Sequence, residues 1–230
     1  MDVLDEQRRF WTTRNRHSFY VGLLLLAFAL IIQIYAGHYS YRKASAAPSA
    51  HDVLLDNLPT LNLNYVIVQG SFVAIAIAAY LLLRYPHHLL FGIKAIALFI
   101  VIRAIFMSLT TIGIYPEQTV FDGGTGVGLY NFFNFPGNFF FSGHTGSPLL
   151  IALIFWHERR VRRFFIGVSL LFAVSVIMAH VHYSIDVFAA PFMTYGIFRM
   201  SQWFFRDDYL VLLRDYKEDY SSWKITHHAA

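Results

Sequence analysis

Six apolar stretches follow one another along this chain, at 18–36, 63–83, 89–114, 140–156, 164–180 and 185–205. Each is close to the roughly 20 residues that a helix needs to cross a bilayer core. Inside a bilayer each backbone N–H and C=O must be satisfied within the protein, so such stretches are read as helices. Composition agrees: 57% of residues are hydrophobic and 14% charged, against about 25% charged in soluble domains. The 23 Phe and 14 Tyr suit a lipid-embedded chain with rings at the interface. The expected fold is therefore all-α, a polytopic membrane bundle of six transmembrane helices over 18–205. Tails at 1–17 and 206–230 flank it.

Basic residues set the expected orientation. Arg8, Arg9, Arg14 and Arg16 precede the first stretch, and Arg159, Arg160, Arg162 and Arg163 follow the fourth. Arg206, Arg214, Lys217 and Lys224 follow the sixth, and none lies between the third and fourth. An even number of spans puts both termini on one side, which the positive-inside rule makes cytoplasmic. Arg42 and Lys43 are the counter-example on the outer side. These short basic connectors read as orientation signals, not as a nucleic-acid surface. Ala44-Ser45-Ala46 resembles a signal-peptide cleavage site. The run before it exceeds the roughly 7–15 residues of a signal core, so a retained first helix is expected. The absence of cysteine excludes disulfides, thiolate ligands and a Cys nucleophile.

Two short segments carry the chemistry. Phe141-Ser142-Gly143-His144-Thr145 opens the fourth stretch. The unpaired N–H groups of a helix start attract phosphate oxygens, and glycine lets the backbone come close. His144 is then placed for proton transfer, and the alternative is a simple helix cap by Ser142. Ala179 through Val187 joins the fifth and sixth stretches and contains His182 and Asp186. On a helix, residues i and i+4 share a face, so Asp186 is expected to hold the His182 ring. By the topology above, both segments emerge on the outer face. A nucleophile, its orienting acid and a proton donor suffice for phosphoryl transfer, with no metal and no cofactor required. Arg103, well inside the third stretch, is costly in lipid unless it faces a polar cavity, so it is read as a phosphate ligand or a partner of Asp186. His87 and His88 read as interfacial. Tyr130 to Pro136 reads as an aromatic belt, with a quaternary-ammonium cage as its functional alternative. The glycine-rich 122–128 loop has no βαβ unit around it and is no nucleotide fingerprint.

At these motifs the chain resembles the sphingomyelin synthase family, a branch of the type 2 phosphatidic acid phosphatase superfamily. The family pattern Cys-Gly-Asp-x-x-x-Ser-Gly-His-Thr is similar to Pro136-Gly137-Asn138 followed by Ser142 through Thr145. The pattern Ala-His-x-His-Tyr-Thr-x-Asp-Val is similar to Ala179 through Val187, with Ser184 replacing Thr. Weaker echoes are Leu58-Pro59, Arg103 with Thr110-Thr111, and Arg199, so the likeness runs over roughly 39–203. It implies a six-helix bundle whose active site faces the periplasm, the cell exterior or an organelle lumen. His182 would be the nucleophile on lipid phosphorus, Asp186 its partner and His144 the acid/base. Arg103, Ser142, Gly143, Asn138, Tyr183 and His180 complete the set as substrate-binding candidates. The implied reaction moves a phospho-head-group from a phospholipid donor to ceramide or another lipid alcohol.

Pro136-Gly137-Asn138 departs from the family's acidic pattern, which leaves the head group and the acceptor open. Water as acceptor would make a lipid phosphatase or phospholipase C. The superfamily's phosphatases carry Lys-x6-Arg-Pro and Ser-Arg-x5-His-x3-Asp, and neither occurs here. Bis-histidine haem ligation is a competing use of two histidines, but requires neither Ser-Gly-His nor His-x-x-x-Asp. The phenylalanines at 132–133 and 139–141 are expected to wall water out.

Overall fold

The computed structural model describes residues 10–119, Gly128, Tyr130 and 140–213. Among them there is no strand, and six helices of twelve residues or more follow in order. They are α1 (Thr13–Ala44), α2 (Gly70–Arg84), α3 (Pro86–Leu109), α4 (Gly143–Ile154), α5 (Arg159–Met178) and α6 (Ser184–Phe204). A π-helical turn, Tyr65–Gln69, leads directly into α2. Four helical segments are long and apolar enough to cross a membrane: Thr13–Ala44, Tyr65–Arg84, Pro86–Leu109 and Arg159–Met178. Helix α6 has the length, with 21 residues, but is not among these four. Helix α4 has only 12 residues, or roughly 18 Å against a hydrocarbon core of about 30 Å.

Helix boundaries follow local chemistry more than hydropathy. Thr12 starts α1 by accepting the Asn15 amide at 3.3 Å. The helix runs past the apolar stretch to Arg42 and Lys43, whose charges suit the negative end of the helix dipole. Tyr85 breaks α2, and Pro86 opens α3 at a position where its missing N–H costs nothing. Helix α3 stops at Leu109, short of the expected Ile114, because Thr110 turns extended and its segment pairs elsewhere. There Gly113 donates to Pro48 O at 3.0 Å.

Helix α3 is the central element, packing on α1, α2, α4 and α6, while α4 also packs on α5 and α6. One core joins Phe91 and Phe99 of α3 to Leu150 and Ile154 of α4, Phe165 of α5 and Ile197 of α6. Leu24, Ile75, Leu170 and Phe192 instead point outward and are exposed. That is the pattern of a bundle whose outside meets an apolar phase. His88, in the first turn of α3, does not face outward. It is buried and stacks on Phe155 at 4.3 Å with planes 5° apart.

At the end of the bundle away from the α4 and α6 starts, a polar cluster passes unnoticed in the sequence. Lys94 Nζ of α3 lies 2.5 Å from Asp208 Oδ2, and both side chains are nearly inaccessible. Ser18 Oγ of α1 donates to Asp208 Oδ1 at 2.6 Å and accepts from Lys94 at 2.9 Å. The cluster ties α1 and α3 to the helical residues 206–213. Removing one member of a buried ion pair leaves an uncompensated charge and costs about 3–5 kcal/mol, whereas apolar replacement of both is far cheaper. We expect Lys94→Met and Asp208→Leu each to destabilise by that amount, and the double variant much less than their sum. Unfolding in mixed micelles measures all three, and simple additivity would show that the pair is not coupled.

Candidate active site

The two histidine segments begin two helices at the same end of the bundle, and Asp186 joins them. It is the third residue of α6 and wholly buried. Its Oδ2 accepts the Tyr183 amide at 3.1 Å, which satisfies a donor at the α6 start in the manner of a capping box. Its Oδ1 accepts the Phe140 amide at 3.1 Å, just before α4. The Asp186 carbonyl also accepts the Ser142 amide at 2.9 Å. One residue thus bonds backbone from both motifs.

His182 Nδ1 lies 3.5 Å from Asp186 Oδ2, with both side chains buried. The contact lacks the alignment of a hydrogen bond. It does not arise from a shared helix face, as the i,i+4 spacing suggested. His182 sits in the bend before α6, and the carboxylate reaches back to it from the first turn. His180, at φ +54°, turns the chain between α5 and α6.

His144 is the second residue of α4, which Ser142 caps by accepting the Thr145 amide at 3.4 Å. The His144 ring centroid is 5.9 Å from that of His182, with planes at 65°. Its Nε2 lies 2.6 Å from Tyr130 Oη, while its Nδ1 is buried with no hydrogen-bond partner. Burial raises the Tyr130 hydroxyl above its ordinary range and the nearby Arg103 charge opposes this; the net shift is upward, so Tyr130 is a phenol at neutral pH.

Arg103 completes the group. It is buried, and its Nε donates to Phe141 O at 2.9 Å. A Cβ placed on Gly143 would meet Arg103 Nε at 3.1 Å and Cζ at 3.3 Å. Glycine at 143 therefore lets the guanidinium lie against the start of α4, where unpaired N–H groups gather. Its charge also faces Asp186. Gly146 permits a second close approach, since a Cβ there would come 2.8 Å from Thr194 Oγ1 and 2.9 Å from Phe99. The cation, helix start, two imidazoles and carboxylate form one cluster, buried except for a half-buried His144, that can hold an oxyanion and move protons around it.

The other candidates lie around this cluster. Tyr183 Oη donates to Gly113 O at 2.8 Å and accepts the Ala50 amide at 3.1 Å, binding two connecting segments. His180 Nδ1 lies 3.0 Å from Thr60 Oγ1, and its ring meets Tyr115 edge-on. Through these contacts both residues fasten connecting segments. Asn138 lies outside the described residues, as do Phe132, Phe133, Phe139 and 122–127 of the glycine-rich loop. Phe141 is fully buried against Phe99, in the core. Phe140 packs on Phe106. Among the described residues, no group of three or more His, Asp and Glu is placed to share a metal ion.

The chain matches no protein-family model and no curated protein sequence.

Two residues escaped the sequence reading. Tyr130 appears there only as part of an aromatic run, because no spacing rule links it to His144. Asp52 sits in the connection after α1. Its Oδ1 accepts the Leu54 and Leu55 amides at 3.0 and 3.2 Å, and its Oδ2 accepts the Ser184 amide at 2.7 Å. An Asp ahead of Val-Leu-Leu is a local signal for the first pair, but nothing local marks the bond across to α6. Burial pushes the Asp52 carboxyl up, yet the bonds from Ser184, Leu55 and Leu54 outweigh it and hold it below its usual range. A depressed carboxylate contributes stability above the unfolded value of about 3.9, which is lost as pH falls through the folded value. Asp52→Asn keeps an oxygen for the Leu54 and Leu55 amides but loses the acceptor of the Ser184 amide, and should cost about 1.5–3 kcal/mol at pH 7, the scale of a hydrogen bond to a charged group. The difference from wild type should shrink at an acid pH below the ordinary carboxylate range. Unfolding at both pH values checks this, and an equal loss at each would mean that charge contributes nothing.

Proposed function

We propose that the chain is an integral membrane lipid phosphotransferase that carries a phospho-head-group on His182. The observation that supports this most is the meeting of His182, Asp186, His144 and Arg103 at the start of α4. Asp186 lies at Nδ1 of His182, so Nε2 is the nitrogen left for phosphorus. His182 attacks the phospholipid phosphorus, the bond to the diacylglycerol oxygen breaks, and His144 supplies that oxygen with a proton. An acceptor hydroxyl then gives its proton to His144 and attacks the phosphohistidine. The P–N bond breaks and His182 is restored. Arg103 and the α4 amides balance charge on the phosphoryl oxygens throughout.

In this reading the six helices all lie in the membrane, with both termini cytoplasmic and the site toward the periplasm, exterior or lumen. The basic clusters at 8–16, 159–163 and 206–224 support that orientation. Because α4 is short, the site sits below the outer surface, where a lipid enters sideways and water is scarce. Scarce water favours a lipid alcohol such as ceramide as acceptor, since exclusion of water prevents hydrolysis of a reactive intermediate.

Purified protein with labelled phosphatidylcholine or phosphatidylethanolamine, with and without ceramide, tests the proposal by lipid mass spectrometry. Diacylglycerol and a new sphingophospholipid are expected. Free phospho-head-group alone, whatever alcohol is offered, would instead identify a phospholipase C on the same scaffold, and inorganic phosphate alone a lipid phosphatase. His182→Ala should abolish turnover. Asp186→Asn keeps an oxygen for one of the two amides and should fold, yet lose up to about 10⁴-fold in kcat, as when a histidine loses its orienting carboxylate. Wild-type rates in Asp186→Asn would show that the residue only caps α6.

A further inference from the structure

Each histidine in the cluster has a different partner. His182 faces a carboxylate, whereas His144 Nε2 faces the Tyr130 hydroxyl at 2.6 Å. Tyr130 is 4% exposed, so this bond is shielded from competing water. The opposite nitrogen, His144 Nδ1, is buried and has no hydrogen-bond partner. Buried polar atoms are rarely left so unless a ligand completes them.

Resting on the phosphotransfer reading, we propose that Tyr130 is the positioning and proton-relay partner of His144. Its hydroxyl donates to Nε2, the ring carries its hydrogen on Nδ1, and that N–H is presented to the leaving oxygen. A carboxylate beside His182 stabilises the cationic, phosphorylated ring, while a phenol beside His144 keeps that ring neutral. Unlike partners divide nucleophile from acid between two identical side chains.

The relay balances in each half-reaction. As the phosphorus–oxygen bond to diacylglycerol breaks, the Nδ1 proton passes to the leaving oxygen and Nε2 takes the proton of Tyr130. The resulting phenolate lies in the field of Arg103, which interacts with Tyr130 electrostatically. When the acceptor arrives, its hydroxyl proton goes to Nδ1 and the Nε2 proton returns to Tyr130. The new phosphorus–oxygen bond forms as the bond to His182 breaks. His144 thereby changes tautomer without becoming an imidazolium beside Arg103 or an imidazolate.

The test reads the tautomer directly. In protein labelled with ¹⁵N-histidine, the two neutral tautomers have distinct nitrogen shifts, and His144 is assigned by its loss in His144→Gln. Wild type should carry the proton on Nδ1, and Tyr130→Phe, which keeps the ring, should lose that bias. Tyr130→Phe should also lower kcat by about 10²-fold, the lower range for a proton-transfer group, with KM nearly unchanged. A proton on Nε2 in wild type would overturn the proposal. So would a Tyr130→Phe protein with unchanged spectrum, or with altered tautomer but unchanged kcat. If Tyr130→Phe does not fold, the wild-type tautomer decides alone. If wild type turns over no phospholipid, the phosphotransfer reading fails, while the spectra still decide whether Tyr130 sets the His144 tautomer.

Discussion

The Asp186 carboxylate is the point on which the site depends. It is wholly buried, and each of its oxygens accepts a backbone amide from a different segment, Phe140 and Tyr183. A buried carboxylate is costly unless its lone pairs are filled, and here the filling determines the geometry. Accepting Tyr183 N starts α6, and accepting Phe140 N brings the approach to α4 alongside. What remains of Oδ2 faces His182. The carboxylate that lies against His182 is the same one that joins the two histidine segments.

Arg103 is the counterweight. A guanidinium and a carboxylate that are both inaccessible to water would each be unfavourable alone. Together they fall into one electrostatic group beside the two imidazoles. Gly143 and Gly146 let this happen. The first admits the guanidinium beside the α4 backbone, and the second lets α4 settle against Phe99 and Thr194. Helix α4 is held at a depth set by these contacts, which explains how a segment of 12 residues can begin inside the bundle. Low polarity around such a group strengthens each charge interaction within it.

Connecting segments hold this arrangement from the outside. Asp52 caps a 3₁₀ turn and the start of α6 with one carboxylate. Tyr183 Oη clasps the segments at Ala50 and Gly113, and His180 fastens Thr60 beside Tyr115. Two residues of the conspicuous Ala-His-Val-His-Tyr-Ser motif, His180 and Tyr183, thus fasten connecting segments beside the bend that carries His182. The opposite end is closed by Lys94, Asp208 and Ser18, so buried polar groups fasten both ends of an otherwise apolar bundle.

The sequence by itself determined the helical character and the existence and order of the helices. Helices are local: hydropathy over about 20 residues, a capping Ser142 and a Pro86 at a helix start act within a few positions. Boundaries were less legible, because hydropathy does not register that α1 continues through Arg42 or that α3 stops at Leu109. The His182–Asp186 spacing was visible, but its cause was not, since the contact comes from a helix cap instead of a helix face. Tertiary structure alone decided that His88 is buried, that Lys94 meets Asp208, that Asp52 reaches Ser184 and that Tyr130 meets His144. These partners are far apart in the chain, apart from Tyr130 and His144. Even there, no periodic rule predicts a hydrogen bond made where segments of different direction converge. Long-range polar contacts are set by which faces the packed core leaves opposite one another, and that is a property of the whole bundle.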